Sequence, residues 1–371
     1  MAVGRPACSR ARPDPKGPKS CSPGKNPAQP VASGLASLRP TGEFIGVSLT
    51  VWTNHGFRPE AFTLFQKEIE AAGHRLIVSQ KATASVLAAG APDPSLEEAD
   101  VVFGQPDVAH ALRCLRLRFI ELSSAGYTRY DRDDFRSAMQ ARQVPVTNAS
   151  QVFADPCAQH VLAQMLALVR NLPPQLRNQD GPRAWRYLED RFTNGVLTHQ
   201  RVVLLGFGSI GRRLAELLRP FGCHVTAYRR QPRGNEGIEI VGESALPAAL
   251  AVADHVINIL PETDQTRNWT TAQRFAQMKP GARYYNIGRG TTVDQSALIQ
   301  ALESNHLGGA YLDVMDPEPL PPEHPLWTAK NCFITCHIGG GTRDQDDKLA
   351  RHFLNNLQSF LQGKPLVDQI F

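Results

Sequence analysis

The side chains best able to do chemistry in this 371-residue sequence stand directly after short apolar runs. Val202-Val203-Leu204-Leu205 passes at once into Gly206-Phe207-Gly208-Ser209-Ile210-Gly211, and then into Arg212-Arg213-Leu214-Ala215-Glu216-Leu217-Leu218. A continuous apolar run suits a strand buried on both faces, and the segment after the glycines has helical character. In that setting a GxGxxG turn has a physical meaning. Gly206 permits the tight turn, Gly208 lets a pyrophosphate reach the backbone, and Gly211 lets helix and strand pack closely. The helix start at Ser209 and Ile210 offers unpaired N–H groups and partial positive charge to the phosphates. The alternative is a glycine turn of purely structural use; the strand before it and the helix after it favour a dinucleotide site.

The next strand, Val225-Thr226-Ala227-Tyr228, ends where an acid would take the ribose 2′-hydroxyl of NAD, and Arg229 and Arg230 stand there instead. Two guanidinium groups suit a 2′-phosphate, so NADP is expected in preference to NAD. The competing reading is a solvated basic loop.

Three later segments carry further reactive groups. Tyr284-Tyr285-Asn286-Ile287 runs into Gly288-Arg289-Gly290, which sets one guanidinium at a strand's carboxyl end. Leu312-Asp313-Val314-Met315-Asp316-Pro317-Glu318-Pro319 and Cys332-Phe333-Ile334-Thr335-Cys336-His337-Ile338-Gly339-Gly340 also begin as strands. Ligands of doubly wound sheets bind at those ends.

Together with the glycine fingerprint, these segments resemble the D-isomer-specific 2-hydroxyacid dehydrogenases over roughly residues 43–371. The nearest likeness inside that family is to the glyoxylate/hydroxypyruvate reductases, through Arg230-Gln231-Pro232, Pro317-Glu318-Pro319-Leu320-Pro321 and His324-Pro325-Leu326. The resemblance implies that Arg289 binds the substrate carboxylate and polarises its carbonyl. It implies that His337 gives and takes the proton, and that Glu318, five residues after Asp313, is its carboxylate partner. Ser124, Ala125 and Gly126 would hold the substrate carboxylate through backbone N–H groups; a plain strand-to-helix turn is the alternative there. Cofactor contacts would fall at Pro261 and Thr266 near the ribose, Ile287 beside the nicotinamide, Asp313 on its carboxamide, and Gly339. Asp254 and Asp294 match family positions but read as structural. The sequence departs from the family at Cys336, where Pro is usual, at Gly288, where a small side chain is usual, and at Gln159, where Glu is common. Cys336 is expected to shift the His337 loop slightly.

These residue types fit the reaction so implied, hydride transfer between NADP(H) and a small 2-oxo or D-2-hydroxy acid. Hydride addition leaves an alkoxide that must be protonated near neutral pH, which suits histidine. A carboxylate on the far ring nitrogen fixes the tautomer and favours the imidazolium. Arginine grips a planar carboxylate with two parallel bonds and stabilises charge developing on the carbonyl oxygen. Two rival readings are a nucleotide-sensing co-regulator of the same fold and a phosphoglycerate dehydrogenase-like enzyme. The first need not keep Arg289, Glu318 and His337 together; the second would carry a regulatory module, and only a short helical stretch follows His337.

Positioning these groups takes alternating strands and helices. Phe44–Leu49 reads as a first strand, Arg58–Gly73 as a helix, and Arg75–Val78, Val101–Phe103 and Phe119–Leu122 as further strands. A long apolar helix is expected over about Pro156–Leu172, a strand over Leu197–Leu205, further strand–helix units to about Ile338, and a last helix over Arg343–Gly363. Such alternation predicts an α/β fold of two Rossmann-like, doubly wound parallel-sheet domains. The family likeness makes the first a discontinuous, flavodoxin-like substrate domain (43–150 with 338–371) and the second an NAD(P)-binding Rossmann domain (151–337). Closure of the cleft between them would exclude water from the hydride transfer. The long helix is more apolar than one covered face requires, and with the family likeness this suggests a homodimer.

The formal net charge of +5 is unevenly placed. Residues 1–41 hold seven Lys or Arg against one acid, with eight prolines, and leave the remainder close to neutral. That tail is expected to be disordered, because it has little apolar surface to bury; an organelle-targeting segment is the alternative, which the prolines oppose. A near-neutral body argues against a nucleic-acid partner, and no uninterrupted apolar run is long enough to span a bilayer. The seven cysteines contain no CxxC pair and read as reduced thiols of a cytoplasmic protein, with no metal site.

Overall fold

A computed structural model describes residues 48–371 except 84, 86–89, 233 and 235. The basic tail, and residues 44–47 of the first expected strand, lie outside the described residues. Strands are β1 (Thr50–His55), β2 (Arg75–Thr83), β3 (Val101–Gly104), β4 (Phe119–Leu122), β5 (Val146–Thr147), β6 (Arg201–Leu205), β7 (His224–Tyr228), β8 (Glu239–Val241), β9 (His255–Asn258), β10 (Arg283–Asn286), β11 (Gly309–Leu312) and β12 (Cys332–Ile334). They form a five-stranded sheet, ordered β2-β1-β3-β4-β5, and a seven-stranded sheet, ordered β12-β11-β10-β9-β6-β7-β8. All strand pairs within these sheets are parallel. The two doubly wound α/β lobes thus match the fold class expected from the sequence. Every residue of β1, β3, β4, β9 and β11 is buried, as parallel strands covered on both faces must be.

The chain crosses between the sheets twice. The first crossing leads from β5 into the helix Ser150–Val169, which buries Phe153, Cys157, Ala158, Val161, Met165, Leu168 and Val169. Its partner is the helix Ser209–Leu218 behind the second sheet. This long helix starts at Ser150, earlier than the sequence suggested, and Pro156 lies inside it. Proline prefers the first turn of a helix, which made Pro156 look like a beginning; inside the helix its missing N–H deprives the Val152 carbonyl of a partner. Among the described residues this one helix is long and apolar enough to cross a membrane by length and composition. Its buried side chains from Phe153 to Leu168, however, belong to the same apolar cluster as Val202, Leu204, Leu214 and Leu218. The stretch 197–200 expected at the head of the next strand stands outside it, and β6 begins at Arg201.

The second crossing follows β12 and leads into the helix Gln345–Leu361, which returns to the first sheet. There Phe353 packs against Phe65, Phe103 and Phe119 with ring centroids 5.4, 5.1 and 6.2 Å apart. The same helix delivers His352 and Asn356 to Glu121, a fully buried carboxylate on β4. The last residues then pair with β5, through Val146 N–H to the Phe371 carbonyl (3.0 Å) and Ile370 N–H to the Val146 carbonyl (2.9 Å). Loops leaving the carboxyl ends of both sheets consequently face one another. Thr128 Oγ1, beyond β4, donates to the carbonyl of Glu262, beyond β9, at 3.2 Å.

Candidate active site

The glycine turn follows β6 as the sequence requires. Gly206 has φ +103°, in the region that favours glycine, and a Cβ there would stand 3.2 Å from the Ile259 carbonyl oxygen. Gly208 is the N-cap of the helix Ser209–Leu218, and no side chain caps that end. An added Cβ on Gly208 would meet nothing within 4 Å, so the first-turn N–H groups of Ser209 and Ile210 open onto space. An anionic pyrophosphate fits this arrangement, and Gly211 closes the turn against Gly206 and Phe207. After β9, Thr266 donates to the Pro261 carbonyl at 2.6 Å and accepts from Thr263 N–H at 2.8 Å, which shapes the loop beside this turn.

The two arginines after β7 are not equivalent. Arg229 Nη1 lies 3.5 Å from Glu236 Oε1, and the Glu236 side chain is almost wholly buried. Arg230 instead donates to the neutral amide of Gln265. The acid missing after β7 is thus partly restored by a loop residue seven positions beyond Arg229, which leaves Arg230 as the less balanced cation.

Arg289 emerges from β10 on a turn shaped by its neighbours. Asn286 Nδ2 and Thr292 Oγ1 both donate to the Arg289 carbonyl, at 3.0 and 2.7 Å, and Gly288 N–H donates to Asn286 Oδ1 at 3.0 Å. Ile287 on this turn is nearly buried. The Arg289 guanidinium donates to the Gly288 carbonyl at 2.7 Å and lies against Gly126 from the other sheet, where any side chain would overlap it. Burial pulls its pKa below the ordinary arginine value, opposed by the charges of Glu318 and Glu262.

Glu318 and His337 meet directly: Glu318 Oε2 and His337 Nδ1 are 2.7 Å apart. The other carboxylate oxygen, Oε1, accepts from Met315 N–H at 2.9 Å. Burial pushes the Glu318 carboxyl upward, but these two hydrogen bonds, with the charges of His337 and Arg289, hold it below its ordinary value. With Nδ1 so engaged, Nε2 is the ring nitrogen left for exchange.

His337 has a left-handed backbone, φ +53°, which a non-glycine residue adopts only under support. Asp313 gives that support. Its carbonyl accepts His337 N–H at 2.8 Å, and its carboxylate accepts Ile338 N–H on Oδ1 at 3.0 Å and Gly339 N–H on Oδ2 at 2.9 Å. Thr335 Oγ1 adds a bond of 2.5 Å to Oδ1. The sequence reading gave Asp313 to the cofactor carboxamide; here three of roughly four acceptor positions already serve the histidine loop. Asp254 and Asp294 are structural, the first pairing with Lys279 at 2.6 Å and the second capping the helix Gln295–Glu303. Cys336 is exposed, and among the described residues no group of His, Cys, Asp or Glu is arranged to hold a metal ion.

On the opposite sheet, Ser124, Ala125 and Gly126 form the loop after β4. The Ser124 and Ala125 carbonyls are taken by Ala149 N–H (3.0 Å) and Asn148 Nδ2 (2.8 Å). Ser124 Oγ donates to the Gly126 carbonyl at 2.6 Å. Sequence reasoning missed the residues that hold this loop. Asn54 exchanges two 2.8 Å bonds with the Gln105 backbone, and Gln105 Nε2 donates to Ser124 Oγ at 2.9 Å, with Arg129 Nη1 3.4 Å from Gln105 Oε1. Their position at the ends of β1 and β3 was the available signal, because that is where such sheets bind ligands.

A dinucleotide-binding α/β fold with a paired imidazole and carboxylate beside a half-buried guanidinium defines a nicotinamide-dependent oxidoreductase. The chain belongs to the D-isomer specific 2-hydroxyacid dehydrogenase family, whose NAD binding domain matches residues 162–339. It is 32% identical over 281 residues to a glyoxylate reductase/hydroxypyruvate reductase of Homo sapiens, covering 71% of this chain and 84% of that protein. The Mus musculus protein of the same name is 33% identical over 257 residues, covering 68% and 77%. Among solved structures, a D-isomer specific 2-hydroxyacid dehydrogenase from Xanthobacter autotrophicus Py2, in complex with NADPH and MES, superposes with a TM-score of 0.71. It is 27% identical, with 88% of this chain and 98% of that chain covered.

Proposed function

We propose that this chain reduces small 2-oxo acids, glyoxylate and hydroxypyruvate foremost, with NADPH as the preferred cofactor. The observation that carries the reading is the 2.7 Å His337–Glu318 pair beside Arg289, which itself lies against Gly126. In this reading residues 43–150 with 338–371 form the substrate domain, and 151–337 form the cofactor domain.

A bound nicotinamide supplies the hydride that adds to the carbonyl carbon. Backbone N–H groups at Ser124–Gly126 and the Arg289 guanidinium hold the substrate carboxylate, which fixes the carbonyl's orientation. Arg289 also stabilises negative charge as it develops on the carbonyl oxygen. His337 Nε2 delivers the proton to that oxygen, and Glu318 on Nδ1 stabilises the charged ring before transfer. The helix start at Gly208–Gly211 receives the pyrophosphate, Pro261, Thr266 and Ile287 line the rest of the cofactor's path, and Gly339 keeps the histidine loop close to it. Arg230 is the main partner for a 2′-phosphate, Arg229 being balanced by Glu236. The NADPH complex of the Xanthobacter relative supports the cofactor assignment, and the names of the mammalian relatives support the substrates.

A homodimer fits the exposed apolar side chains that follow the long helix, with Trp185 93%, Leu188 70% and Phe192 78% exposed. A second copy of this segment's surroundings is the expected cover, and sedimentation of the purified chain tests it. A cytoplasmic location with no nucleic-acid or membrane partner completes the reading.

The test is steady-state turnover with glyoxylate, hydroxypyruvate, pyruvate and phenylpyruvate, each with NADPH and NADH. Glyoxylate and hydroxypyruvate should be reduced, with NADPH favoured about ten- to hundredfold through one charge-assisted bond to the 2′-phosphate. Folded protein that binds NADPH yet turns over none of these acids would refute the reading in favour of a sensor.

A further inference from the structure

Behind the His337 loop four polar side chains touch in series, and the reaction uses none of their outer members. His160 projects from the helix Ser150–Val169, Tyr311 lies on β11, Thr335 follows β12 and Asp313 follows β11. His160 Nε2 contacts the Tyr311 hydroxyl and more distantly Thr335 Oγ1 at 3.4 Å, the Tyr311 hydroxyl contacts Thr335 Oγ1, and Thr335 Oγ1 lies 2.5 Å from Asp313 Oδ1. Tyr311 and Asp313 are each 1% exposed, so water cannot substitute for a missing partner.

Hydrogen-bond valence orders this series in one direction. A carboxylate only accepts, so the single Thr335 proton is committed to Asp313. The Thr335 oxygen then accepts from Tyr311, which commits the phenol proton. Burial pushes the Tyr311 phenol above its ordinary value, so it remains a donor at neutral pH. The Tyr311 oxygen in turn accepts from His160, which must present Nε2–H. Each hydroxyl has one proton to donate, and the series ends on the carboxylate that also binds Ile338 and Gly339 N–H.

We infer that Tyr311 is a positioning residue for His337, its hydroxyl locking Thr335 and Asp313 into the one arrangement that holds the left-handed histidine loop, with His160 supplying the terminal donor. The inference rests on the reading of His337 as the proton donor. Without the phenol, Thr335 is free to turn, and the Asp313 brace loses its fixed orientation. Misplacement of a catalytic group by a fraction of an ångström lowers the rate of the step it serves and leaves distant binding alone.

The experiment uses the full chain carrying Tyr311→Phe, His160→Gln, His160→Leu or His337→Ala. Tyr311→Phe should lower kcat for glyoxylate reduction about tenfold. The NADPH dissociation constant, read by fluorescence titration, should change by less than kcat does, and the position of the pH–rate limbs should not move. His160→Gln, whose side-chain amide can replace the Nε2–H donor, should restore most of the rate that His160→Leu loses. An unchanged kcat in Tyr311→Phe overturns the inference, as does identical behaviour of the two His160 variants. The His160 pair, on a partly exposed position, keeps the test decisive should Tyr311→Phe fail to fold. If His337→Ala retains full activity, the proton-donor reading falls and this inference with it. If His337→Ala is inactive while Tyr311→Phe is silent, only this inference falls.

Discussion

At the carboxyl ends of the five-stranded sheet the side chains that shape the cleft are mostly neutral: Asn54, Gln105 and Ser124 bond to one another and to backbone. At the carboxyl ends of the seven-stranded sheet they are ionisable: Arg289, Glu318 and His337. The first sheet does own charge clusters: at the end of β1, His55 and Arg58 reach Asp346 at 3.6 and 3.3 Å, and a second cluster lies deep beneath the loop. Glu121 and Asp368 enclose His352 at 2.9 and 3.3 Å, and Thr147 and Asn356 complete the coordination of Glu121. Similar scaffolds thus divide the work. One sheet fixes its loop with neutral side chains, and the other carries the ionisable groups proposed above for the reaction.

The sharpest way to break this division is His337→Ala, which removes the proposed proton donor and should lower kcat for reduction by about a hundredfold or more, read by single-turnover NADPH oxidation. A loss under about threefold would deny the seven-stranded sheet its reactive role. Glu318→Gln keeps a hydrogen-bonding side chain and removes its charge, with about a tenfold fall in kcat expected. Because that charge faces the imidazole, losing it disfavours the protonated ring, and the alkaline limb of the reduction rate should move to lower pH. A pH profile that overlays the original would separate Glu318 from the proton transfer.

On the neutral side, Gln105→Leu should raise KM for the 2-oxo acid about fivefold with kcat nearly unchanged, since it loosens the Ser124 loop and touches no reacting atom. A fall in kcat with constant KM would contradict the division.

The buried cluster should leave its mark on stability. Burial opposes a charged His352, but hydrogen bonds and charges from Asp368 and Glu121 outweigh it and raise its pKa to about 9. A raised histidine pKa adds stability that is fully present below the unfolded value of 6.5 and is lost as pH rises through about 9. The contribution is at most about 3 kcal/mol. The melting temperature should therefore fall between pH 6.5 and 9.5 by a few degrees more in the unmodified chain than in His352→Gln. Equal falls would show that His352 carries no such linkage.

Contiguous features were legible in the sequence. The glycine turn, the Gly-Arg-Gly turn and the five-residue step from Asp313 to Glu318 each sit within one short segment that can be read directly, and the family resemblance joined His337 to them. Features that join distant segments were not. Asn54 and Gln105 are 51 positions apart, and nothing local in either marks the bond between them. Glu236 returns a carboxylate to Arg229 from an irregular loop, so two adjacent arginines looked more alike than they are. Asp313 was given one role because its motif is short, while its contacts with residues 335–339 depend on β11 and β12 lying side by side. Pro156 misled for a different reason: a proline marks a helix start on average, and tertiary packing of the long helix overrode that preference.

The double passage of the chain between the sheets has a mechanical consequence. The two crossings run close together, since a Cβ on Gly340 in the second would stand 3.0 Å from the Phe153 ring in the first. Two bodies joined by a pair of adjacent pivots turn about the line through them, as a door does, and resist twisting or sliding. Opening along that single coordinate would part Thr128 from Glu262 and lift Gly126 away from Arg289. It would leave His337 against Glu318, because both move with the same leaf. On that geometry the His337–Glu318 contact is internal to one leaf, whereas the Arg289–Gly126 contact exists only where the two leaves meet.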